Sequence, residues 1–340
     1  MKIAIGYRLK NGPWGGGNRF AKSLAEFLYS IGHQVVHDLY DDDIDIILLT
    51  DPRSRSPNVA FGAGSITRYL LFRNSKAVVV HRINECDERK GTSGMNNLLV
   101  RANFCADYTT FVGSWMLSLD VWKKNIRTPH QVILNGADAE IFNSKGMAPW
   151  NGSEPLKLVT HHWGGNWMKG FDIYQRIDQM LAETAFKNRL EFTYIGNLPK
   201  GFHFKNARLL TPLDGMDLAA ELKRHHAYVT GSINEPGGNH QNEAAACGLP
   251  LLFRRSGCLP EYCDRFGLSF DENDFEIVLE KFFIDYKKII TIMPLWPHYS
   301  KKTCQQYLTL FEDLLKNRDE ILTRRKLWSK PWNTLRNLIS

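Results

Sequence analysis

The sequence lacks a long apolar run. None of its stretches approaches the roughly 18 to 20 uninterrupted apolar residues that a membrane-spanning helix needs. The start, MKIAIGYRLK, indicates a strand that runs into a polar loop and not a secretion signal. Hydrophobic residues make up 43% of the chain and charged residues 23%, which excludes a largely disordered protein. We therefore expect a folded, cytoplasmic protein, and its 340 residues suggest about two domains.

Cysteine is scarce, and its spacing excludes the common zinc motifs. The six cysteines, at positions 86, 105, 247, 258, 263 and 304, form no CxxC pair and have no histidines at the spacing of a zinc site. We interpret them as reduced packing residues, and we expect no bound metal.

Positive charge is concentrated at the carboxyl end. The net charge is +7, and residues 316–340 carry seven basic and two acidic side chains, so this tail contributes +5. One interpretation is contact with an anionic membrane surface on the cytoplasmic face, helped by apolar residues of the tail. Those residues are Leu327, Trp328, Trp332, Leu335, Leu338 and Ile339. The other interpretation is a solvated helix packed on the body. No nucleic-acid partner is expected.

Strand and helix signals alternate in two series, which is typical of parallel sheets covered by helices. The first series contains KIAIGY, HQVVHDL, DIDIILLT, KAVVVHRI, DYTTFVG and HQVILNG; the second contains LKLVTHH, LEFTYIGN, ARLLTP, AYVTGS, LPLLFRR and LSFD. Between them, NSKGMAPWNGSEP has the composition of a linker. We predict an α/β fold of two Rossmann-like, doubly wound parallel sheets, at residues 1–148 and 149–299. Such domains in tandem leave a ligand cleft at the carboxyl ends of the strands.

The segment NEPGGNHQNEAAACGLPLLF, residues 234–253, places two carboxylates at this expected cleft. Glu235 precedes a proline and two glycines and so lies on a loop, whereas Glu243 falls in the first turns of a short helix that Asn239 caps. The N–H groups of that helix end suit a phosphate, and each carboxylate suits neighbouring sugar hydroxyls. A nucleotide diphosphate sugar combines these groups. The simpler alternative is that Glu243 caps a helix and Glu235 is a solvated turn residue.

The spacing of this segment resembles the donor site of the retaining glycosyltransferases of family 4. The shared pattern is Glu235, seven residues, Glu243, a glycine at the third place after the first glutamate, an Ala-rich helix, Gly-Leu-Pro, a strand and then GCLPE. Other segments are similar to the family's motifs, namely NGAD with Phe142, ADYTTFVGSW, the Lys169-Gly170 pair, the glycine-rich NGPWGGGNRF and the His81-Arg82 pair.

The resemblance implies a glycosyltransferase of the GT-B fold, in which a helical segment at about 300–340 returns to the first domain. It implies transfer of a sugar from a nucleotide diphosphate sugar, the co-substrate, to a saccharide or glycolipid hydroxyl, with no metal and no cofactor. The implied catalytic residues are Glu235, Lys169 and His81, with His81 pointing from the sheet edge into the cleft. The implied donor-binding residues are Glu243, Gly238, Asn239, His240, Gly16, Gly17, His162 and Arg254.

One position departs from the family pattern. Members usually have an arginine about six residues before the lysine, and this sequence has Trp163 there. Loss of a guanidinium from a diphosphate site costs about 1.5 to 3 kcal/mol of charge-assisted hydrogen bonding. His162, Arg254 and Arg255 are the candidates to replace it. The alternatives are that the donor is held differently, or that activity is weak or absent.

Three other functions fit parts of the sequence. A glycine loop after the first strand, with Asp38 further on, resembles the dinucleotide site of a nicotinamide-dependent oxidoreductase. Against this, the residues from Arg8 to Pro13 separate the strand from the glycines, so the turn is not the tight G-x-G-x-x-G kind. A nucleotide-sugar 2-epimerase shares the two-domain architecture. A sugar-binding relative without turnover is consistent with the tryptophan at 163.

Overall fold

The computed structural model describes residues 1–12, 14–325, 327 and 330–338. The chain forms two compact units. One unit comprises Met1–Asn11, Gly16–Leu134 and Ser300–Ser340, and the other comprises Gly12–Gly15 and Asn135–Tyr299.

The first unit is built on a six-stranded parallel sheet. Its strands are β1 (Lys2–Ile5), β2 (Gln34–Val36), β3 (Ile46–Leu49), β4 (Val78–Ile83), β5 (Tyr108–Phe111) and β6 (His130–Val132). Their order across the sheet is β2-β1-β3-β4-β5-β6. All six residues of β4 are buried, as expected for an inner strand of a parallel sheet that is covered on both faces.

Helices of the first unit follow its strands. They are α1 (Gly16–Ser30), α2 (Ala63–Phe72), α3 (Met95–Asn103) and α4 (Asp120–Asn125), with a short 3-10 turn at Ser114–Ser118. Helix α1 buries Phe20, Leu24 and Leu28, which recur at helical spacing on one face. Its chain reversal uses Gly32, whose φ of +86° is a conformation that favours glycine.

The second unit contains a second six-stranded parallel sheet. Its strands are β7 (Leu156–His162), β8 (Leu190–Gly196), β9 (Arg208–Leu210), β10 (Ala227–Thr230), β11 (Leu251–Arg254) and β12 (Gly267–Phe270). The order is β12-β11-β10-β7-β8-β9. Counted from β7, this is the 3-2-1-4-5-6 order of the Rossmann fold, and its direction reverses between β7 and β10.

Helices of the second unit are α5 (Phe171–Met180), α6 (Gly215–Leu222), α7 (His240–Ala246), α8 (Leu259–Cys263) and α9 (Phe275–Ile290), with 3-10 turns at Trp167–Lys169 and Met293–Leu295. The core is rich in aromatic side chains. Phe171 and Tyr174 of α5 pack on Phe192 and Tyr194 of β8, with ring centroids 5.2 to 5.9 Å apart.

The carboxyl-terminal part of the chain adds three helices to the first unit, α10 (Ser300–Lys316), α11 (Arg318–Arg324) and α12 (Pro331–Leu338). Helix α10 packs against α1 and supplies Cys304, Tyr307 and Phe311 to the core of that unit. The hydroxyl of Tyr307 lies 3.0 Å from that of Thr110 in β5, which ties α10 to the sheet.

The predicted fold class is confirmed, because all twelve strands expected from the sequence are present in two parallel sheets. The six cysteines are all buried, as expected for packing residues, and none of them forms a disulfide bond. The second unit begins earlier than residue 149, since Asn135 already belongs to it. The reason is a pair of hydrogen bonds, from Asn135 N–H to the Tyr262 hydroxyl (2.8 Å) and from Asn135 Nδ2 to the Gly237 carbonyl (2.6 Å). In the described part of the chain, no helix has the length and apolar character to cross a membrane.

Candidate functional site

The glutamates and the lysine singled out by the sequence lie on loops and helices of the second unit. Lys169 follows β7 and Glu235 follows β10, and these strands are neighbours at the point where the strand order reverses. In open parallel sheets this point leaves a crevice at the carboxyl ends of the strands, where ligands bind.

Lys169 and Glu235 form a buried ion pair. The distance from Lys169 Nζ to Glu235 Oε2 is 2.6 Å, and the exposed fractions of the two side chains are 14% and 4%. Two charges so little exposed to water are stable only together, because removal of one partner from a buried pair costs about 3 to 5 kcal/mol. The sequence predicted both residues as site residues, and the structure brings them into direct contact.

Two glycines bring the Lys169 turn against the end of β10. Gly170 has a φ of +101°, and a Cβ atom there would lie within 3.0 Å of the backbone of Gly231. The Ile233 N–H donates to the Met168 carbonyl at 2.8 Å, just before Lys169. Because Gly170 and Gly231 have no side chains, their backbones approach closely, and this contact fixes the position from which the Lys169 side chain extends.

The GCLPE motif holds Glu235 from the other side. Gly257 has a φ of +61°, and a Cβ atom there would lie within 3.0 Å of the main-chain nitrogen and oxygen of Glu235. The Cys258 N–H donates to the Glu235 carbonyl at 2.8 Å. Asn234 adopts a φ of +52°, and its N–H donates to the Ser256 hydroxyl at 2.9 Å. The motif thus positions the backbone of the first glutamate.

Glu243 is paired with His161, a residue that the sequence did not single out. Glu243 Oε2 lies 2.9 Å from His161 Nε2, and the exposed fractions of the side chains are 5% and 11%. The His161 ring also packs edge-on against Tyr228, with centroids 5.5 Å apart. The sequence did contain a signal that His161 belongs to the site, because it lies near the carboxyl end of a strand. Successive strand residues face opposite sides of the sheet, so His161 and His162 point to different sides.

His162, the next residue along β7, is engaged elsewhere. Its Nε2 lies 2.7 Å from the Tyr174 hydroxyl, and the residue is 4% exposed. The ring of His240 lies 4.7 Å away, and His240 Nε2 contacts the Thr230 hydroxyl at 3.0 Å. Both histidines are therefore packed beside the ends of β7 and β10.

The arginines proposed to replace the missing guanidinium have carboxylate partners. Arg254 in β11 pairs with Asp172 in the first turn of α5, and Arg255 pairs with Asp271 at 2.7 Å. At the departing position, the Trp163 side chain is 45% exposed and its ring lies 6.0 Å from that of Trp14. The indole of Trp163 thus stands at the sequence position where an arginine was expected, and it lies beside a second exposed indole, that of Trp14.

The loop at Gly237–Asn239 is held by amide side chains. Its carbonyls accept hydrogen bonds from Asn135 Nδ2 (2.6 Å) and from Gln241 Nε2 (2.7 Å). A Cβ atom at Gly238 would lie within 3.0 Å of the His240 ring. Asn239 occupies the N-cap position of α7, but the expectation that its side chain caps the helix is wrong. Its φ of −94° and ψ of −20° are helical, whereas capping side chains start from an extended backbone.

Gly16, Gly17 and His81 belong to the first unit. Gly16 is the first residue of α1, and a Cβ atom at Gly17 would meet the Tyr7 ring at 3.3 Å. Their loop is closed by Asn18, whose side chain bonds the Lys10 N–H (2.9 Å) and carbonyl (2.8 Å).

The expected orientation of His81 toward the sheet edge is wrong. The residue lies in β4, between β3 and β5, and is 0% exposed. Its Nδ1 lies 3.0 Å from Asn103 Oδ1 at the end of α3. Burial lowers the pKa of His81 to about 4, so the ring is neutral near pH 7. The structure thus shows His81 packed inside the first unit beside α3, and its catalytic role stays a prediction.

No group of three or more His, Cys, Asp or Glu side chains that could hold a metal ion occurs in residues 1–12, 14–325, 327 and 330–338. The polar groups at the site are instead one lysine, two glutamates and three histidines. They can attract an anion and accept hydrogen bonds from hydroxyl groups.

Comparison with solved structures finds the same architecture in proteins that act on sugars. The catalytic domain of starch synthase IV from Arabidopsis thaliana, bound to ADP and acarbose, has a TM-score of 0.66 at 15% identity and covers 93% of this chain and 99% of its own. Anabaena HepE, in complex with UDP and glucose, has a TM-score of 0.65 at 11% identity, over 92% and 99%. Sucrose-phosphate synthase from Thermosynechococcus elongatus has a TM-score of 0.62 at 15% identity, over 93% and 99%.

The chain has the glycosyltransferase-B fold. The predicted architecture is thereby confirmed over almost the whole length of these proteins. No protein-family model and no curated protein matches the sequence. At identities of 11 to 15% the likeness establishes the fold, and the chemistry has to be argued from the residues of the site.

Proposed function

We propose that this glycosyltransferase-B protein is an enzyme that transfers a sugar from a nucleotide diphosphate sugar to a saccharide or glycolipid hydroxyl. The observation that carries the proposal is the buried Lys169–Glu235 pair, 2.6 Å long, at the reversal point of the second sheet. A nicotinamide-dependent oxidoreductase does not need a lysine and a glutamate held together at this reversal point, and a purely structural pair does not need the close backbone contacts of Gly170 and Gly257.

Lys169 supplies positive charge to the diphosphate. A lysine ammonium is a compact point charge, and its little-exposed position strengthens its attraction to an anion. As the bond between sugar and phosphate breaks, negative charge grows on the leaving diphosphate. A fixed donor of this kind contributes about 2.7 to 4 kcal/mol to the transition state. On this basis we propose a reaction that does not require a metal ion.

Glu235 orients the transferred sugar through its hydroxyls. Its carboxylate is next to the lysine, so the sugar that it binds lies beside the diphosphate that the lysine binds. Following the family resemblance, we propose retention of the anomeric configuration, with the acceptor proton passing to the leaving phosphate on the same face. This mechanism needs no separate general base.

Glu243 binds the ribose of the nucleotide, and His161 holds it in place. A carboxylate can accept hydrogen bonds from two neighbouring hydroxyls, and the contact with His161 Nε2 fixes which oxygen faces the ligand. The bound ADP and UDP of the starch synthase and of HepE support a nucleoside diphosphate as the ligand of the same fold here.

The first test is a thermal-shift screen with UDP, GDP, ADP, TDP and their sugars. A ligand at about 100 times its Kd stabilises the folded state by about 2.7 kcal/mol, and we expect one base to raise the Tm. Glu243→Ala should reduce the shift, because a tenfold higher Kd lowers the stabilisation at the same ligand concentration to about 1.4 kcal/mol. The proposal fails if no nucleotide raises the Tm, or if Glu243→Ala and the wild type respond alike.

The second test separates the rival activities by their products. The nucleotide sugar that binds is incubated, labelled in the sugar, with and without simple saccharides. Transfer to a saccharide supports the proposal. Formation of an epimerised nucleotide sugar without acceptor identifies a 2-epimerase, and binding without any product identifies a sugar-binding protein.

A further inference from the structure

Helix α12 has an inverted distribution of side chains. It buries two polar residues, Thr334 and Asn337, while Trp332 is 77% exposed and Leu335 is 45% exposed. The helix packs against α2, where the terminal Phe72 is 74% exposed. Thr334 donates to the Leu327 carbonyl and Asn337 Nδ2 to the Asn333 carbonyl, so both buried polar side chains bond within the carboxyl-terminal segment. A helix turned in this way leaves its large apolar residues facing outward.

A basic groove of about 1270 Å³ runs beside this helix. Its lining contains six cationic residues, namely Arg101, Arg127, Arg324, Arg325, Lys330 and Arg336, and one acidic residue, Asp107. Asp107 is occupied by Arg325, at 2.6 Å, which also binds the Ala77 carbonyl at 2.7 Å. Arg324 pairs with Glu320, which lies outside the lining. Among the residues that the structure describes, no ion pair is formed by the other four cations, Arg101, Arg127, Lys330 and Arg336.

The groove lies away from the carboxyl ends of the strands. Asp107 and Pro129, which line it, directly precede β5 and β6, so the groove opens at the amino edge of the first sheet. In parallel α/β sheets the ligands of the reaction bind at the opposite edge. The basic groove is therefore a surface that the proposed sugar transfer does not use.

We propose that α12 and the basic groove form a docking surface for an anionic membrane. Trp332, Leu335 and Arg336 fall on the outward side of α12, and tryptophan is suited to the boundary between headgroups and acyl chains. The cations of the groove complement the phosphates of acidic lipids. An apolar face beside a cluster of Lys and Arg is the pattern of helices that lie on membranes. Trp328 and Ile339, named with this tail from the sequence, lie outside the described residues.

The test is flotation of the full-length protein with lipid vesicles. One set is phosphatidylcholine, and the other contains about 30% phosphatidylglycerol, an anionic lipid. We expect binding to the anionic vesicles only, reduced at about 0.5 M salt, where the charges are screened. Trp332→Ser with Leu335→Ser, and separately Lys330→Glu with Arg336→Glu, should each lower the bound fraction at least about tenfold.

Helix α9 of the second unit supplies matched controls. Ile277 and Ile284 are 74% and 82% exposed, so Ile277→Ser with Ile284→Ser removes as much exposed apolar side chain elsewhere. Lys287→Glu with Lys288→Glu makes the same charge change. Circular dichroism checks that every variant is folded. The proposal is overturned if the wild type does not float with anionic vesicles, if it binds neutral vesicles equally well, or if the controls lose as much binding as the α12 variants. Because the experiment measures membrane binding only, its result is independent of whether the protein transfers a sugar.

Discussion

Gly257 lies against Glu235 so closely that any side chain at 257 would overlap the main-chain nitrogen and oxygen of the glutamate. The two residues belong to segments that the sequence resemblance treats as separate parts of one motif. The structure gives a physical reason why Gly257 and Glu235 occur together in the motif. The glycine leaves the space in which the Glu235 loop turns back toward Lys169.

Gly257→Ala should therefore displace Glu235. We expect a loss of about 1 to 3 kcal/mol in stability from overpacking and a fall in kcat of at least about tenfold. Gly215→Ala is the matched control, because its φ of +54° is close to the +61° of Gly257 and an added Cβ meets nothing within 4 Å. Urea unfolding and steady-state kinetics of both variants make the comparison. Equal losses of activity would show that backbone strain, and not the contact, is responsible.

The Lys169–Glu235 pair should behave as a unit in stability measurements. Lys169→Met and Glu235→Gln each remove the 2.6 Å ion-pair partner of a little-exposed charge, so we expect each to cost about 3 kcal/mol. The double variant should be more stable than the sum of the single losses by about 1 to 3 kcal/mol. Denaturant unfolding of the four proteins gives this interaction energy. A coupling near zero would mean that the two side chains are separated in solution.

Kinetics should distinguish the two glutamates. If the proposed roles hold, Glu235→Gln and Lys169→Ala should mainly lower kcat, whereas Glu243→Ala should mainly raise the donor KM. Each effect is expected to be about tenfold or more. Steady-state kinetics with the donor found by thermal shift provide the measurement. Small and equal effects in all three variants contradict the assigned roles.

His161 should act through Glu243. His161→Ala leaves the Glu243 carboxylate without the 2.9 Å contact, so we expect the donor KM to rise about tenfold while kcat changes little. His161→Gln keeps an N–H donor on the side chain and should recover part of the affinity. Combining His161→Ala with Glu243→Ala should add little to the Glu243→Ala effect. A full additive loss would show that His161 contacts the ligand directly.

Two buried histidines should make the protein less stable in mild acid. Burial lowers the pKa of His81 and of His225 to about 4, while a histidine in the unfolded chain titrates near 6.5. Between these values the unfolded state binds more protons, so stability is full above about pH 6.5 and falls as the pH drops toward 4. At pH 5 the loss is about 2 kcal/mol for each ring.

Urea unfolding at pH 7 and pH 5 measures this loss. In His81→Gln and in His225→Gln, the difference in unfolding free energy between the two pH values should shrink by about 2 kcal/mol relative to the wild type. An unchanged difference in both variants would mean that the rings are accessible to protons in the folded state.

The sequence allowed the prediction of the strands because buried parallel strands are short apolar runs between loops. The prediction that Lys169 and Glu235 share a site came from the resemblance of their motifs to the family 4 donor site, and both residues follow strands of the same sheet. The sequence did not allow the prediction that His161, and not His162, is the partner of Glu243. Two adjacent histidines end β7, and the packing of one beside Tyr174 and of the other against Tyr228 decides which ring meets Glu243. The packing of His81 inside β4 could not be predicted for a related reason, because the run of valines before it shows a buried strand but not where that strand ends.

The two units differ in how their sequence is distributed. The second unit is nearly continuous along the chain, whereas the first unit takes its last helices from Ser300 onward. Tyr307 and Phe311 of α10 are 0% exposed in the core against α1, and residues before 135 leave that core uncovered by themselves. During synthesis, domains fold as their residues emerge. The unit whose synthesis begins first is thus the last to be completed. A ribosome stalled before α10 therefore holds a chain whose amino-terminal sheet still exposes an apolar face to chaperones.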